Sequence, residues 1–576
     1  MNKYLSIISI RLILSGCQAL SSSSTLPADD TTAATEQSPS AATPTDTAQF
    51  STQTLISLLT AEIAGQRDRF DIASDNYSQQ AQTTGDPGVA ERALRIAEYL
   101  GEAQRALDNA LIWAQAQPDN IEAQRSAAVQ LAQAKRYDEA MLHMERVLAA
   151  NADTQFDFLA LSAMRSDRAT RQALLQSFNR LLLKQPHNQQ LIFSKAILLN
   201  QDERSEEALK LLEDQPKKYA VVATILLRAR LLSQLDRGEE ALPLLRNALK
   251  NNPNDTRLRM TYARQLIEQN QLEAARAEFL ELLQQSPDDD DLRFSLALIN
   301  MDMGAWLEAQ TYLEDLILRG SYLDPAQFNL GRVFQERQQP DNALSAYNAV
   351  TFGDNYLAAQ QRIALLMISD NKLKDVTTHF DIQRKQYPDV AVQLYLIETE
   401  NLSNHKKTDS AWLRINQALK LYPGDPSLLY TRAMIADQRN DLVQLEEDLR
   451  SIIERDPSNA MALNALGYSL ADRTERLDEA RVLIEKAHQL EPDDAAITDS
   501  LGWLYYRLGD LVAAERLLRE ALDGYPDAEI AAHLGEVLWQ LGKHKEAQRI
   551  WNTARKAQPE HVILLETIQR LTHQEP

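Results

Sequence analysis

One template recurs between Asn464 and Pro559, and it decides what this chain can fold into. Leu466-Gly467 precedes Ala480, Ala487 and Pro492. Leu501-Gly502 precedes Ala514, Leu518, Ala521 and Pro526. Leu534-Gly535 precedes Ala547, Trp551, Ala554 and Pro559. The three prolines stand 34 and then 33 residues apart. A fixed period in this range specifies stacked helical pairs. With Pro526 counted as position 32, Gly502 is position 8, Ala514 position 20 and Ala521 position 27. Small groups at these places let the first helix of a unit (A) and the second (B) approach closely. Leu518, at position 24, is the large knob between the pair and the next unit. Proline then ends helix B, because it lacks an N–H and its ring clashes with the preceding turn. A single unit cannot cover its own apolar face, so stability requires neighbours.

Leu-Gly, then Ala, a large apolar residue, Ala and Pro resembles the tetratricopeptide repeat, a 34-residue helical pair. A proline ladder extends the pattern through Pro118, Pro186, Pro253, Pro287, Pro388, Pro423 and Pro457, with missing rungs near Ala152, Tyr219, Ser321 and Asp354. Position 20 is alanine in most units (Ala106, Ala140, Ala208, Ala241, Ala275, Ala309, Ala343, Ala411), and position 24 is usually large (Met144, Phe279, Tyr347, Phe380). The expected fold is an all-α solenoid. About fourteen repeats span residues 85–559, with those near 162–186, 364–388 and 433–457 degenerate. The resemblance implies a right-handed superhelix whose concave face is lined mainly by A helices. Gln558 to Thr572 reads as a last amphipathic helix, so residues 560–576 cap the array, as a terminal element must.

Composition excludes several functions. Asp plus Glu number 82 against 60 Lys plus Arg, a net charge of −22. That balance argues against a nucleic-acid partner, which needs a basic face. Cys17 is the one cysteine, so the chain forms no internal disulfide. There is no Gly-rich phosphate loop, no His-Glu-x-x-His and no cysteine ligand set, so no cofactor, no metal and no small-molecule substrate is expected. Asp288 to Asp291 lacks the glycine and distal glutamate of a calcium loop and reads as a solvated turn capping the next helix. His544 stands where sister units place Tyr137, Leu272, Trp306, Leu477 and Leu511, a packing position. The chain is not expected to be an enzyme.

The N-terminus reads as a membrane address. An apolar run from Leu5 to Leu14, interrupted by Arg11, leads to Ser15-Gly16-Cys17. The run is too short to span a bilayer as a helix. Leu14-Ser15-Gly16-Cys17 resembles the bacterial lipobox, which implies a signal at residues 1–17 and acylation of Cys17. More than one acyl chain gives stable anchoring. Gln18 after the cysteine points to the outer membrane rather than inner-membrane retention, so the expected location is its periplasmic face. Residues 18–48, rich in Ser, Thr, Pro and Ala, cannot build a core and read as a flexible tether. Residues 49–84 form an initial helical pair, with Leu55 to Ala64 as its first helix. Asp86-Pro87-Gly88-Val89 then starts a capped helix, aspartate preceding a proline at the first helical position.

The stretches Ala61 to Arg67 and Asp86 to Ala97, with the lipobox, tether and repeats, resemble the long periplasmic tetratricopeptide-repeat lipoproteins of gamma-proteobacteria. These are similar to adaptors of a carboxyl-terminal processing protease. The resemblance implies a scaffold that binds such a protease and its protein substrates, peptidoglycan cross-link hydrolases, and promotes their degradation. The alternative is a non-proteolytic assembly factor for outer-membrane or envelope polysaccharide machinery. The apolar face of the first helix (Leu55, Leu58, Leu59, Ile63) is a candidate docking or self-association element. In the repeat family, positions 9 and 12 face the groove. Tyr468, Trp503, Tyr506 and Trp539 stand there, so the last units form a candidate partner groove. These aromatics either stand open in that groove or are buried by neighbouring units.

Overall fold

A computed structural model describes residues 50–150, 152, 154–216, 221–370 and 372–573. Cys17, the signal at 1–17 and the tether at 18–48 lie outside the described residues. The described residues hold 31 α-helices and no strand. In chain order these are an initial pair (Thr52–Gln66 and Phe70–Thr84), fourteen further pairs, and a last helix, Val562–Thr572. The chain divides into two compact units, residues 1–309 and 310–576.

Three local rules recur in most pairs. Helix A usually starts on an aspartate or asparagine, though Gln155, Val221, Tyr322 and Val390 stand there in other units. Asp86 accepts from the Val89 N–H at 3.0 Å, Asp289 from Leu292 at 3.0 Å and Asp494 from Ile497 at 2.9 Å. Each satisfies one orphan donor of the first turn. Helix A ends on a left-handed residue at position 15. This is Gly101, Gly304, Gly509 or Gly542 in some units, and Asp236, Asn270, Lys406 or Asn440 in others. Around Gly509 the N–H of Gly509 reaches the Tyr506 carbonyl (3.0 Å) and that of Asp510 reaches Tyr505 (2.9 Å). That is the paired-bond stop of the Schellman motif. Helix B ends one residue before its proline. Ser286, Glu491 and Gln558 each take φ near −130° and ψ near +75°, because proline crowds its predecessor out of the α region. The last helix therefore begins at Val562 rather than Gln558, which is the C-cap of His544–Ala557.

Packing follows the template. A Cβ added to Gly502 would stand 2.7 Å from Leu518 Cγ, and one added to Gly467 would stand 2.5 Å from Ile484 Cγ1. At Gly535 it would collide with the Trp551 indole, and at Gly331 with the Tyr347 ring. The knobs Tyr347, Phe279, Phe380 and Trp551 are fully buried. Trp306, at a packing position of its unit, is only half buried.

The degenerate units hold by other means. Near 162–186, helix A shrinks to Phe156–Ser162 plus a 3-10 turn, and Phe156 meets Phe178 edge-on at 5.4 Å. Near 364–388, fully buried Glu398 is gripped by Arg384 (2.8 Å) and Arg414 (2.9 Å), and the Arg384 guanidinium lies 3.8 Å over the Tyr395 ring. One unit carries an inserted residue before Ala480. There the left-handed stop is lost and Thr474 is extended (φ −136°, ψ 174°).

A repeated charge quartet ties successive B helices. Glu446 and Arg450 of one unit meet Arg476 and Glu479 of the next, with Arg476 to Glu446 at 2.8 Å. Glu515 and Arg519 meet Lys543 and Glu546 at the same template positions, with Lys543 to Glu515 at 2.7 Å.

Two outcomes are expected. Trp551→Ala should cost about 3–5 kcal/mol, the range for emptying a large buried site, and should lower hydrogen-exchange protection across residues 528–557 first. The Arg476 and Arg450 guanidiniums beside Glu446 hold its carboxyl down at about 2 against an ordinary 4.5. Its contribution to stability is therefore complete above 4.5 and is lost as pH falls toward about 2. Acid unfolding of Glu446→Gln should lack that part of the pH dependence.

Candidate functional site

The groove-side residues of the last units belong to helices that lie side by side: Ala460–Arg473, Ala495–Arg507, Ala528–Gln540 and Val562–Thr572. Their side chains interlock into one polar and aromatic cluster. The Tyr468 hydroxyl donates to Glu529 Oε1 at 3.2 Å and lies 3.4 Å from His533 Nε2. His533 Nδ1 is 3.0 Å from both oxygens of Asp499. The Trp503 ring stacks on the imidazole at 4.3 Å, and its Nε1–H donates to Asp472 at 3.1 Å. Trp503 also meets Tyr506 at 4.8 Å. The Tyr506 hydroxyl donates to Glu536 at 3.0 Å, and Arg570 closes the same carboxylate with two bonds of 3.0 and 2.5 Å.

The environment changes what these groups can do. Trp503 keeps only 8 % of its surface open, so it is packed by neighbouring units rather than held out as an anchor. Tyr468, Tyr506 and Trp539 are half buried. Trp539 stacks on Trp551 at 5.7 Å and meets the exposed His544 edge-on at 4.2 Å. Burial, helped by the Glu529 carboxylate, raises the Tyr468 phenol well above its ordinary value. Burial and Glu536 push Tyr506 up to about 12. Both hydroxyls therefore stay protonated donors. Hydrogen bonding to Glu536 raises Arg570 further and keeps it a cation.

Sequence reasoning reached four aromatics here but missed Asp472, Asp499, Glu529, His533, Glu536 and Arg570. The available signal was the template itself. Asp499 is at position 5, Glu529 at position 2 and Glu536 at position 9, all on the groove side of A helices.

The first helix presents a second candidate. Leu58 packs inward on the cluster around Ala90 and Leu94. Leu55 (52 %), Ile56 (55 %), Leu59 (61 %) and Ile63 (41 %) remain exposed. Leu55, Leu59 and Ile63 are spaced four apart and form one stripe. An exposed apolar stripe of this kind is a mark of an interaction site. Leu58 thus separates from the other three candidate residues: it serves the core.

Among the described residues, no group of three or more His, Cys, Asp or Glu is arranged to hold a metal ion. No helix there is long and apolar enough to cross a membrane. A shallow recess at Lys406 to Ser410 is lined by Gln438 and Arg439, and Arg439 is engaged by Asp409.

Removing the outermost member of the cluster should be informative. Arg570→Ala leaves the buried Glu536 carboxylate with Tyr506 alone. The cost should be about 1–3 kcal/mol, that of an under-satisfied buried group, and toward the lower end because Arg570 is more than half exposed. Denaturant unfolding followed by tryptophan fluorescence measures it.

Comparison with known proteins agrees with this architecture. The tetratricopeptide repeat model matches residues 232–293 and 473–532. A TPR repeat-containing protein of Pseudomonas aeruginosa is 53 % identical over 539 residues, covering 93 % of this chain and 90 % of that protein. Among solved structures, a thermophilic TPR protein of Thermus thermophilus aligns at 24 % identity over 31 % of this chain and 97 % of its own, with a TM-score of 0.29. Yeast Tom70 aligns at 14 % identity over 90 % of this chain and 98 % of its own, with a TM-score of 0.31. The chain belongs to the tetratricopeptide-repeat-containing proteins, all-α solenoids whose repeats serve as protein-interaction scaffolds.

Proposed function

We propose that this protein is a lipid-anchored scaffold on the periplasmic face of the outer membrane. It holds a carboxyl-terminal processing protease close to its protein substrates, peptidoglycan cross-link hydrolases, and so promotes their degradation. The observation that carries the reading is the exposed stripe of Leu55, Ile56, Leu59 and Ile63 on the first described helix. A tethered array with an uncovered apolar helix at one end suits a protein that docks one large partner and leaves its repeats for others. The resemblance to gamma-proteobacterial lipoproteins names the partner, and Cys17 with the 18–48 segment supplies the anchor and the reach. The chemistry of proteolysis belongs to the partner. The scaffold's contribution is effective concentration, which raises encounter without any new catalytic group. Preferential binding of an active protease conformation would add to it.

Replacing Leu55 and Leu59 together with Asp should leave helicity intact. Burying one leucine is worth about 1.5–3 kcal/mol, so capture of a co-expressed carboxyl-terminal processing protease should weaken by about 100-fold or more. Substrate cleavage should slow in parallel. Unchanged capture would contradict the docking role. Cys17→Ala should move the protein from the membrane to the soluble fraction, and unaltered fractionation would contradict the anchor.

A further inference from the structure

Repeat arrays are held by nearest-neighbour contacts. The last units break that rule at one point, where Tyr468 reaches across the intervening helix to Glu529 and His533, 61 and 65 residues away. We propose that His533 is the pin of a latch that closes the groove face of the last three units, and that loss of its proton opens it.

The geometry supports a charged pin. His533 is 4 % exposed and Asp499 6 % exposed, so neither charge has water to fall back on. Three carboxylates act on the imidazole: Asp499 in direct contact, then Glu529 and Asp472. They come from three successive A helices, and the Trp503 face completes the cage. The other charged groups nearby are already engaged. Arg570 is bound bidentate to Glu536, one turn along the helix. Arg507 donates to the backbone carbonyls of Ala471 and Asp472. The neighbouring B helices, Leu511–Gly524 and His544–Ala557, meet this region through the apolar Leu518 and Trp551. Among the described residues, no second cation is therefore in place to neutralise Asp499.

Burial pulls against the imidazolium, but the Asp499, Glu529 and Asp472 carboxylates outweigh it, and the proton is held above the ordinary 6.5. The latch is thus complete below 6.5 and is lost as pH rises through the raised value. Once His533 is neutral, Asp499 keeps at most one neutral N–H donor, from Nδ1, and loses the buried cation that offsets its charge, a costly state. The helices relieve it by separating on the groove side, which uncovers Trp503 and Tyr468. The device goes beyond the scaffold reading and does not depend on which partner is bound.

The test follows Trp503 alone, as the fluorescence of the full chain minus that of its Trp503→Phe variant. It is recorded from mildly acid to alkaline pH, with and without acrylamide. An imidazolium stacked on an indole quenches it. The expected result is a single rise with a midpoint above 6.5, coinciding with a gain in acrylamide access, and its loss in His533→Gln. Asp499→Asn should lower the midpoint, because the carboxylate in direct contact no longer opposes burial and only Glu529 and Asp472 remain. A wild-type signal that stays flat, a rise without a gain in acrylamide access, or a rise that survives in His533→Gln would overturn the proposal. If His533→Gln does not fold by circular dichroism, an unmoved midpoint in Asp499→Asn overturns it equally.

Discussion

The contact between position 8 and position 24 is what the rest of the structure depends on. Where Gly502 meets Leu518, or Gly535 meets Trp551, the backbone of helix A offers no side chain and the knob of helix B lies directly against it. That approach fixes the spacing of a pair. The spacing in turn lets one unit present a complementary face to the next. The left-handed residue at position 15 and the proline after helix B only set where each helix stops. A side chain at position 8 would have to displace an aromatic ring or a branched aliphatic group, and close-packed interiors do not absorb that locally.

Much of this was visible in the sequence, because the packing rule is local and repeated. Glycine, alanine and proline at fixed offsets located the pairs. Asp86-Pro87 located a helix start, and Gln558 to Thr572 located the last helix to within four residues. Other features were hidden for physical reasons. The left-handed stop is occupied by Asp236, Lys406 or Asn440 as well as glycine, so composition does not mark it. The unit at 373–386 is held by a buried Glu398 with two arginines, a solution that follows no template. The groove cluster joins residues 30 to 65 positions apart, and its members become neighbours only once the A helices are laid side by side. The template singles out the aromatics Tyr468, Trp503, Tyr506 and Trp539 as candidates, but not the carboxylates and the histidine that pack Trp503.

The two ends of the array differ in chemistry. The first described helix leaves a stripe of large aliphatic groups uncovered, so a partner gains by burying it. The groove side of the last units is already filled by its own aromatic rings, carboxylates and one imidazole. A partner there must displace internal contacts before it can make its own. An array with one ready surface and one conditional surface suits a scaffold that keeps one partner and exchanges another.

The most direct measurement of that account is capture from the detergent-solubilised envelope with the full-length chain as bait, followed by identification of what is retained. The account predicts recovery of a carboxyl-terminal processing protease together with peptidoglycan cross-link hydrolases. Recovery of assembly or secretion components alone, with no protease, would contradict it.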